Sequence, residues 1–107
     1  MINLDLPREI YLVLTTERNE NSAHKLAKIL LEERLIACAT FKNIESHFWW
    51  EGKINKENEV QIIIKCSKKN VELVCKKISI NHSYTIPELL CFPVSSTIDY
   101  YQWLSSL

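Results

Sequence analysis

The sequence Phe48-Trp49-Trp50-Glu51-Gly52-Lys53 places three aromatic side chains directly before the only glycine in a chain of 107 residues. Glycine is favoured where a hairpin needs a positive φ angle, so we predict a tight turn at Gly52. Alternation along a strand puts the first and third aromatics on one face and the second on the other, so one sheet layer cannot bury all three. Each could bury about 150–250 Å². We therefore expect the hairpin tip to pack on a neighbouring subunit.

Two strands extend outward from this turn. The first is predicted from Ala37 to Trp50, with an irregularity or bulge near Lys42-Asn43. The returning strand, roughly Glu57 to Cys66, alternates between two faces. Its predicted core face holds Val60, Ile62, Ile64 and Cys66, and its other face holds Glu59, Gln61, Ile63 and Lys65. The second set is typical either of a solvated face or of a polar-lined site between subunits.

The remaining segments predict two more strands and three helices. The segment Glu9–Thr16 is apolar on both faces, as in a central strand. A helix with Asn19, Asn21 or Ser22 as N-cap is expected to run to about Leu35. The later elements are a helix capped by Ser67, a strand over Pro87–Val94 and a final helix capped by Thr97.

The order of elements predicts the fold class. Strand, helix, strand, strand, helix, strand with right-handed crossovers gives an α+β, ferredoxin-like βαββαβ sandwich, here with an additional C-terminal helix and a long β-hairpin. The length suits a single domain, residues 1–107, in which residues 1–7 are a loose N-terminal arm. Two helices cover one sheet face and leave the other open. That open face favours oligomerisation.

Composition excludes several classes of function. Thirteen basic and thirteen acidic side chains cancel without blocks of like charge, which disfavours nucleic-acid binding. No leader and no apolar run near ~18 residues is found, so we expect a cytoplasmic protein with no membrane span. One glycine excludes a glycine-rich phosphate loop.

The four cysteines match no metal or redox spacing. Cys38, Cys66, Cys75 and Cys91 include no CxxC pair. Their apolar neighbours suggest small buried hydrophobes, and disulfides are not expected in a cytosolic chain.

A few polar residues remain that the fold could bring together. They are His82 and Tyr84 in a loop, Glu88 at the start of the fourth strand, and Glu59 and Lys65 on the third. His82 is read either as a solvated or helix-terminal histidine or as a metal ligand, and His47 could share a cation with it only if the fold brings the two together. An enzyme using Lys65 and Glu88 as an acid–base or charge pair is a further alternative.

Three motifs carry a resemblance to a known family. They are Glu33-Arg34-Leu35-Ile36-Ala37-Cys38-Ala39, Trp49-Trp50-Glu51-Gly52-Lys53-Ile54 and Tyr84-Thr85-Ile86-Pro87-Glu88-Leu89-Leu90. With the terminal segment Asp99 to Leu104, their order and spacing resemble the CutA family, the divalent-cation tolerance proteins, over essentially the whole chain.

The resemblance implies a function and a set of site residues. It implies a non-enzymatic, cytoplasmic homotrimer of ferredoxin-like protomers, similar in assembly to PII signalling proteins and linked to tolerance of copper and other divalent cations. The alternative is a PII-like small-molecule sensor with no metal role. Residues that match the family pattern around intersubunit clefts are Cys38, Trp50, Glu59, Lys65, Tyr84, Pro87 and Glu88. His82 matches the metal-associated histidine.

The sequence departs from that pattern at the end of the first strand and at two positions beside His82 in the loop. Some members place a cysteine and a second histidine where this chain has Thr15 and Asn81. Threonine and asparagine are poor ligands for copper, so a site at His82 would be weak. The usual proline before the loop tyrosine is replaced by Ser83.

Overall fold

A computed structural model describes residues 8–107, and the predicted arm of residues 1–7 lies outside the described part. The described chain forms seven elements in the predicted order. They are β1 (Arg8–Glu17), α1 (Glu20–Glu32), β2 (Cys38–Trp50), β3 (Lys53–Ser67), α2 (Val71–Asn81), β4 (Leu90–Ser96) and α3 (Ile98–Ser105). The strands form one antiparallel sheet in the order β2-β3-β1-β4. The predicted α+β, ferredoxin-like fold with a C-terminal helix is confirmed.

The core lies between one sheet face and the helices α1 and α2. The predicted inner face of β3 is buried, with Ile62 and Ile64 fully inaccessible. Val13 of β1 pairs with Ile64 and shares that face. The helices add Leu30 and Ile78, both fully buried. Complete burial of each such side chain is worth about 1.5–3 kcal/mol, so this layer supplies the main stabilisation of the fold.

The other sheet face is apolar at its centre and only partly covered. Leu14 pairs with Ile63 on one side and with Leu90 on the other, and directly opposed residues share a face. Leu90 and Phe92 remain 52% and 40% exposed. The protomer therefore presents an open apolar surface, called here the open face and defined by Leu12, Leu14, Ile63, Leu90 and Phe92.

The aromatic hairpin has the predicted turn at Gly52. Glu51 and Gly52 have φ angles of 51° and 79°, as a two-residue type I′ turn requires. The pairing of β2 with β3 is unbroken from Cys38 opposite Lys65 to Trp50 opposite Lys53. The bulge predicted near residues 42 and 43 is therefore wrong. A local run of polar residues did not require a break, because both side chains lie at the exposed edge of the sheet.

Helix α1 begins where predicted and ends earlier. The Asn19 side chain caps it, since Oδ1 accepts the Ser22 N–H at 2.8 Å. The predicted end at Leu35 is wrong, because the chain leaves the helix after Glu32 through Arg34, whose φ is 57°. Backbone bonds from Leu35 N to Leu30 O and from Arg34 N to Leu31 O, both 3.0 Å, form a Schellman motif.

The second half of the chain differs from prediction at its boundaries. Asn70, rather than Ser67, occupies the N-cap of α2, and the Ser67 hydroxyl accepts the Asn70 N–H one turn earlier. Strand β4 starts at Leu90, three residues after Pro87, because its pairing with β1 begins with Leu90 opposite Leu14. Thr97 occupies the N-cap of α3 as predicted, without a side-chain hydrogen bond.

The cysteine predictions hold for one residue and fail for another. Cys66 is buried as predicted, and Cys38 and Cys75 are half-buried. Cys91 is exposed, so its prediction as a core residue is wrong. It lies on β4, which is an edge strand, and an edge position leaves one side of the residue to solvent.

Candidate functional site

The candidate site is built around the loop of residues 82–89, which joins α2 to β4 across the end of β1. His82 fixes the start of this loop. Its Nδ1 accepts the Tyr84 N–H at 3.0 Å, so the ring proton is on Nε2, which donates to the carbonyl of Thr16. The Thr15 hydroxyl lies 3.2 Å from the same Nε2. The His82 side chain is fully buried in this arrangement.

Glu17 holds the same loop from the end of β1. Its side chain is 1% exposed, and its two oxygens accept the backbone N–H groups of Arg18 and Ser83, each at 3.0 Å. A buried carboxylate is stable only when such donors replace water. Sequence reasoning missed Glu17 and Arg18. The available signal was a charged residue that continues an otherwise apolar strand directly before the polar segment.

Tyr84 and Glu59 form the most direct contact among the predicted site residues. The Tyr84 hydroxyl donates to Glu59 Oε2 at 2.8 Å, and Glu59 is 8% exposed. Burial raises the pKa of Tyr84 well above its usual value, and the hydrogen bond and the negative charge of Glu59 add to the rise. The phenol therefore stays protonated at neutral pH, where it acts as a hydrogen-bond donor and not as a base.

The other predicted residues lie at separate places on the same sheet face. Cys38 and Lys65 are directly opposed at one end of the β2–β3 ladder, and Trp50 is opposed to Lys53 at the hairpin tip. Glu59 lies between them, six residues along β3 from each lysine, or roughly 20 Å at about 3.3 Å per residue. One protomer therefore brings Tyr84 to Glu59 and Cys38 to Lys65, and leaves Trp50, 45% exposed, by itself.

Glu88 and Pro87 lie late in the loop. Glu88 is exposed, Pro87 is half-buried, and Lys65 is half-buried on β3. Among the ion pairs of residues 8–107, none joins Lys65 to Glu88. The predicted acid–base or charge pair is not assembled within the protomer.

The metal prediction rests on His82. As placed, both ring nitrogens are used by backbone groups, so His82 offers no free lone pair to a cation. Asn81 donates to the Lys77 carbonyl, and His47 contacts Glu45 on the hairpin. Within residues 8–107, no cluster of three histidine, cysteine or acidic side chains has metal-binding geometry. The residues around His82 therefore do not fit a divalent cation in this protomer.

The helices of the described chain were compared with the length and hydropathy that a membrane span requires. Across residues 8–107, every helix is too short or too polar to cross a bilayer.

Comparison with known proteins places this geometry in a family. The family model described as CutA1 divalent ion tolerance protein matches residues 11–106. The divalent-cation tolerance protein CutA of Pyrococcus horikoshii is 38% identical over 94 residues, which cover 87% of this chain and 92% of that protein.

Solved structures agree with the fold. A crystal structure of a point variant of CutA1 from Pyrococcus horikoshii OT3 has a TM-score of 0.88 at 37% identity and covers 90% of this chain and 95% of its own. A structure described as the periplasmic divalent cation tolerance protein CutA from Archaeoglobus fulgidus has a TM-score of 0.87 at 31% identity, with coverages of 91% and 96%. On this evidence, the chain belongs to the CutA1 divalent ion tolerance protein family.

Proposed function

We propose that this chain acts in divalent-cation tolerance as a non-enzymatic, cytoplasmic homotrimer, with binding sites in clefts between its subunits. The observation that carries the assembly is the open face together with the aromatic hairpin. The cation role is supported by the description of the family and of its relatives.

The exposed apolar area supports assembly by more than one surface. Trp49 and Ile54 at the hairpin are 71% and 66% exposed, and Leu90 and Phe92 on the open face are exposed as well. Contiguous apolar patches of this kind are unusual on monomers and are typical of subunit interfaces. A neighbouring protomer would bury both surfaces and bring its own residues beside Glu59, Lys65 and Trp50.

Light scattering tests the assembly directly. At micromolar concentration we expect three times the chain mass of 12.6 kDa. The variant Phe92→Glu should give a smaller folded species, because it puts a charge on the open face. Leu31→Glu is the matched control: Leu31 is 43% exposed, close to the 40% of Phe92, but lies on α1. A stable wild-type monomer would overturn the proposed trimer.

Direct cation binding needs its own measurement. Calorimetric titration with Cu²⁺ measures it for the wild type, His82→Gln and His47→Ala, with thermal melts to confirm that the variants fold. Because both ring nitrogens of His82 are engaged within the protomer, we expect any binding to the assembled protein to be unchanged by His82→Gln. Binding that survives His82→Gln would remove His82 as the ligand. Absence of binding to the wild-type protein would remove direct copper binding from the proposal.

A second candidate is the small-molecule sensor with no metal role. It is favoured by the ring nitrogens of His82, which are both engaged, and by the Tyr84–Glu59 pair, which offers a phenol and a carboxylate beside the open face. A thermal-shift screen of nucleotides and polar metabolites tests it. A hit whose stabilisation is lost in Glu59→Gln supports the sensor, and a screen without hits in the assembled protein counts against it.

A further inference from the structure

A small cavity lies where the ends of all three helices meet. Its walls come from the turn between α1 and β2, the turn between β3 and α2, and the last residues of α3. The Asn70 side chain joins the first two walls, since its Nδ2 donates to the Leu35 carbonyl at 3.4 Å. Leu104 of α3 belongs to the third wall and is 4% exposed. The cavity is therefore formed within one protomer by segments that are bonded or packed together.

Two positively charged side chains line this cavity. Arg34 and Lys69 directly precede Leu35 and Asn70, so the hydrogen bond between the latter two holds the cations near each other. Both cations are exposed, and no ion pair formed by the described residues includes either one. Glu33, the acid beside the arginine, is paired instead with a lysine of α2 at 3.0 Å. Among the described residues, no acidic side chain lines the cavity, so its positive charge is not balanced.

Two hydroxyl groups add uncharged donors to the same space. The Ser67 Oγ accepts the Asn70 N–H at 3.3 Å, which leaves the hydroxyl proton of Ser67 free to donate. Ser105 lines the cavity from α3, and its hydroxyl has no hydrogen-bond partner within the described part of the chain. The guanidinium and the ammonium groups are donors only. The cavity is therefore suited to a ligand that is negatively charged and accepts several hydrogen bonds.

The backbone of Arg34 supports the same conclusion. Its φ of 57° lies in the left-handed region, which glycine adopts without strain and which residues with a side chain rarely occupy. Strained positions of this kind cluster at binding sites. A guanidinium can contact an oxyanion through two parallel N–H groups, a geometry that lysine cannot offer. The strained backbone and the unbalanced charge therefore point to one ligand chemistry.

The size of the cavity limits the ligand. Its volume is about 70 Å³, whereas one water molecule needs about 10–15 Å³ of such space. The cavity can therefore hold about five groups of the size of a water molecule. A phosphate ion, with one phosphorus and four oxygens, fits this space, whereas a nucleoside is too large for it.

We propose that Arg34 and Lys69 bind a phosphate group in this cavity, either as free phosphate or as the end of a phosphate monoester. The hydroxyls of Ser67 and Ser105 donate to its oxygens. The site goes beyond the proposed function and does not depend on it. The buried Cys66 lines the cavity from the helix-facing side of β3, so assembly through the open face does not have to cover the site.

Amide chemical shifts measured by NMR test the proposal. Wild-type protein is titrated with sodium phosphate at constant pH and at an ionic strength kept constant with sodium chloride. We expect saturable shifts centred on residues 34–37, 66–71 and 104–107. Arg34→Gly and Lys69→Ala should each raise the dissociation constant roughly tenfold or more. Lys76→Ala is the matched control, because this exposed lysine of α2 does not line the cavity, and it should bind as the wild type does.

The Arg34→Gly variant separates binding from folding. Glycine relieves the backbone at this position, so weaker binding by a protein that is at least as stable as the wild type cannot be attributed to unfolding. Shifts that do not saturate, shifts that are unchanged in Arg34→Gly, or an equal loss in Lys76→Ala would overturn the proposal.

A second titration, with glycerol 3-phosphate, distinguishes the two sources of the phosphate group. A dissociation constant below that of inorganic phosphate assigns the site to a phosphorylated small molecule, and an equal or higher one assigns it to free phosphate. A saturable site in a protein that proves monomeric or binds no cation would leave this inference standing while the proposed function fails.

Discussion

The hydroxyl of Tyr84 is the atom that joins the candidate loop to the sheet. It donates to Glu59 Oε2 at 2.8 Å, and both side chains are largely removed from water. Buried hydrogen bonds of Glu17 and His82 fix the start of the same loop, and the Tyr84–Glu59 bond fixes its next residues against the sheet. If one of these hydrogen bonds is broken, the buried group that remains cannot form a replacement bond with water, so each bond helps to fix one conformation of the loop.

Removal of that hydroxyl should be measurable. Tyr84→Phe leaves the Glu59 carboxylate without its donor, so we expect the free energy of unfolding to fall by about 1–3 kcal/mol, as measured by urea denaturation. Tyr101→Phe is the control, because among the described residues its half-buried hydroxyl has no partner, and it should change stability by less than about 0.5 kcal/mol. Equal effects of the two substitutions would contradict the role of the Tyr84–Glu59 bond.

The buried thiols predict a loss of stability in alkali. Burial, followed by the charge of neighbouring thiolates, raises the pKa of Cys75 from 9.0 to about 11 and that of Cys66 to about 12. The unfolded chain releases these protons at lower pH than the folded one. The contribution is therefore complete below about pH 9 and is lost as the pH rises through about 11–12.

Urea denaturation between about pH 8 and pH 11 checks the sign. Cys75→Ser should reduce the fall in stability with pH, whereas Cys38→Ser should leave it unchanged. A Cys75→Ser protein that loses stability as steeply as the wild type would show that this thiol is not the group being titrated.

At the residue scale, sequence reasoning named Glu59, Tyr84 and His82 but not how they are joined. It did not identify Glu17, because a carboxylate at the end of a strand is usually solvated, and Glu17 is buried only by the loop that folds over it. It read Thr15 as a lost metal ligand, whereas in the structure its hydroxyl lies beside His82 Nε2. The positions of Glu17 and Thr15 depend on contacts between residues that are 66 or 67 positions apart in the sequence, which local patterns do not report.

At the scale of an element, helix α1 ends at a position with a left-handed backbone conformation, which favours glycine but is occupied here by Arg34. The Schellman motif that ends the helix needs a left-handed residue, and this chain supplies Arg34 at a φ of 57°. A side chain in that conformation costs roughly 1–2 kcal/mol, which glycine avoids. The strain is held by the two backbone bonds that close the motif.

Arg34→Gly should therefore stabilise the protein. We expect about 1 kcal/mol, measured as a higher urea midpoint at unchanged slope. The control is Glu33→Gly, one position earlier and at a φ of −81°, where glycine offers no relief and should destabilise by a few tenths of a kcal/mol or more. Destabilisation by Arg34→Gly would mean that the arginine side chain contributes more than its backbone costs.

Elements were more predictable than their ends. The alternation of β3 and the stripes of α1 and α2 arise from burial on one side, which sequence periodicity reports directly. The ends depend on single backbone angles and caps. No glycine marked the end of α1, and Ser67, a good cap by residue type, bonds within the turn before α2.

The whole protomer is more elongated than its length suggests. Its radius of gyration is 15.2 Å and its extents are 50 × 29 × 20 Å, whereas a compact domain of this size has a radius near roughly 13 Å. The projecting hairpin accounts for the larger radius of gyration. Strand β1 pairs with β3 only from Val60 onward, so Lys53–Glu59 are paired with β2 alone. The sequence predicted this hairpin and its turn, but not that half of it extends past the sheet.

Hydrogen exchange should report whether a neighbour covers that ribbon. A two-stranded hairpin is marginally stable alone, so in the Phe92→Glu variant the amides of residues 53–59 should exchange quickly. In the wild-type assembly they should exchange at least roughly tenfold more slowly. Fast exchange in both proteins would place the ribbon outside the interface, while the buried amides of residues 60–66 serve as the internal reference.

The projecting ribbon also limits how copies of this chain can join. The free side of β3 over residues 53–59 is an unpaired strand edge, the feature by which chains add to one another without end. Here that edge carries the exposed side chains of Lys53, Lys56 and Glu57, charges that oppose indiscriminate strand addition. Pairing is then favourable only where a partner offers matching charges, which suits a closed ring of few subunits and resists growth into a fibre. The charges on the ribbon therefore oppose open-ended strand addition at the surface through which we propose that copies of this chain assemble.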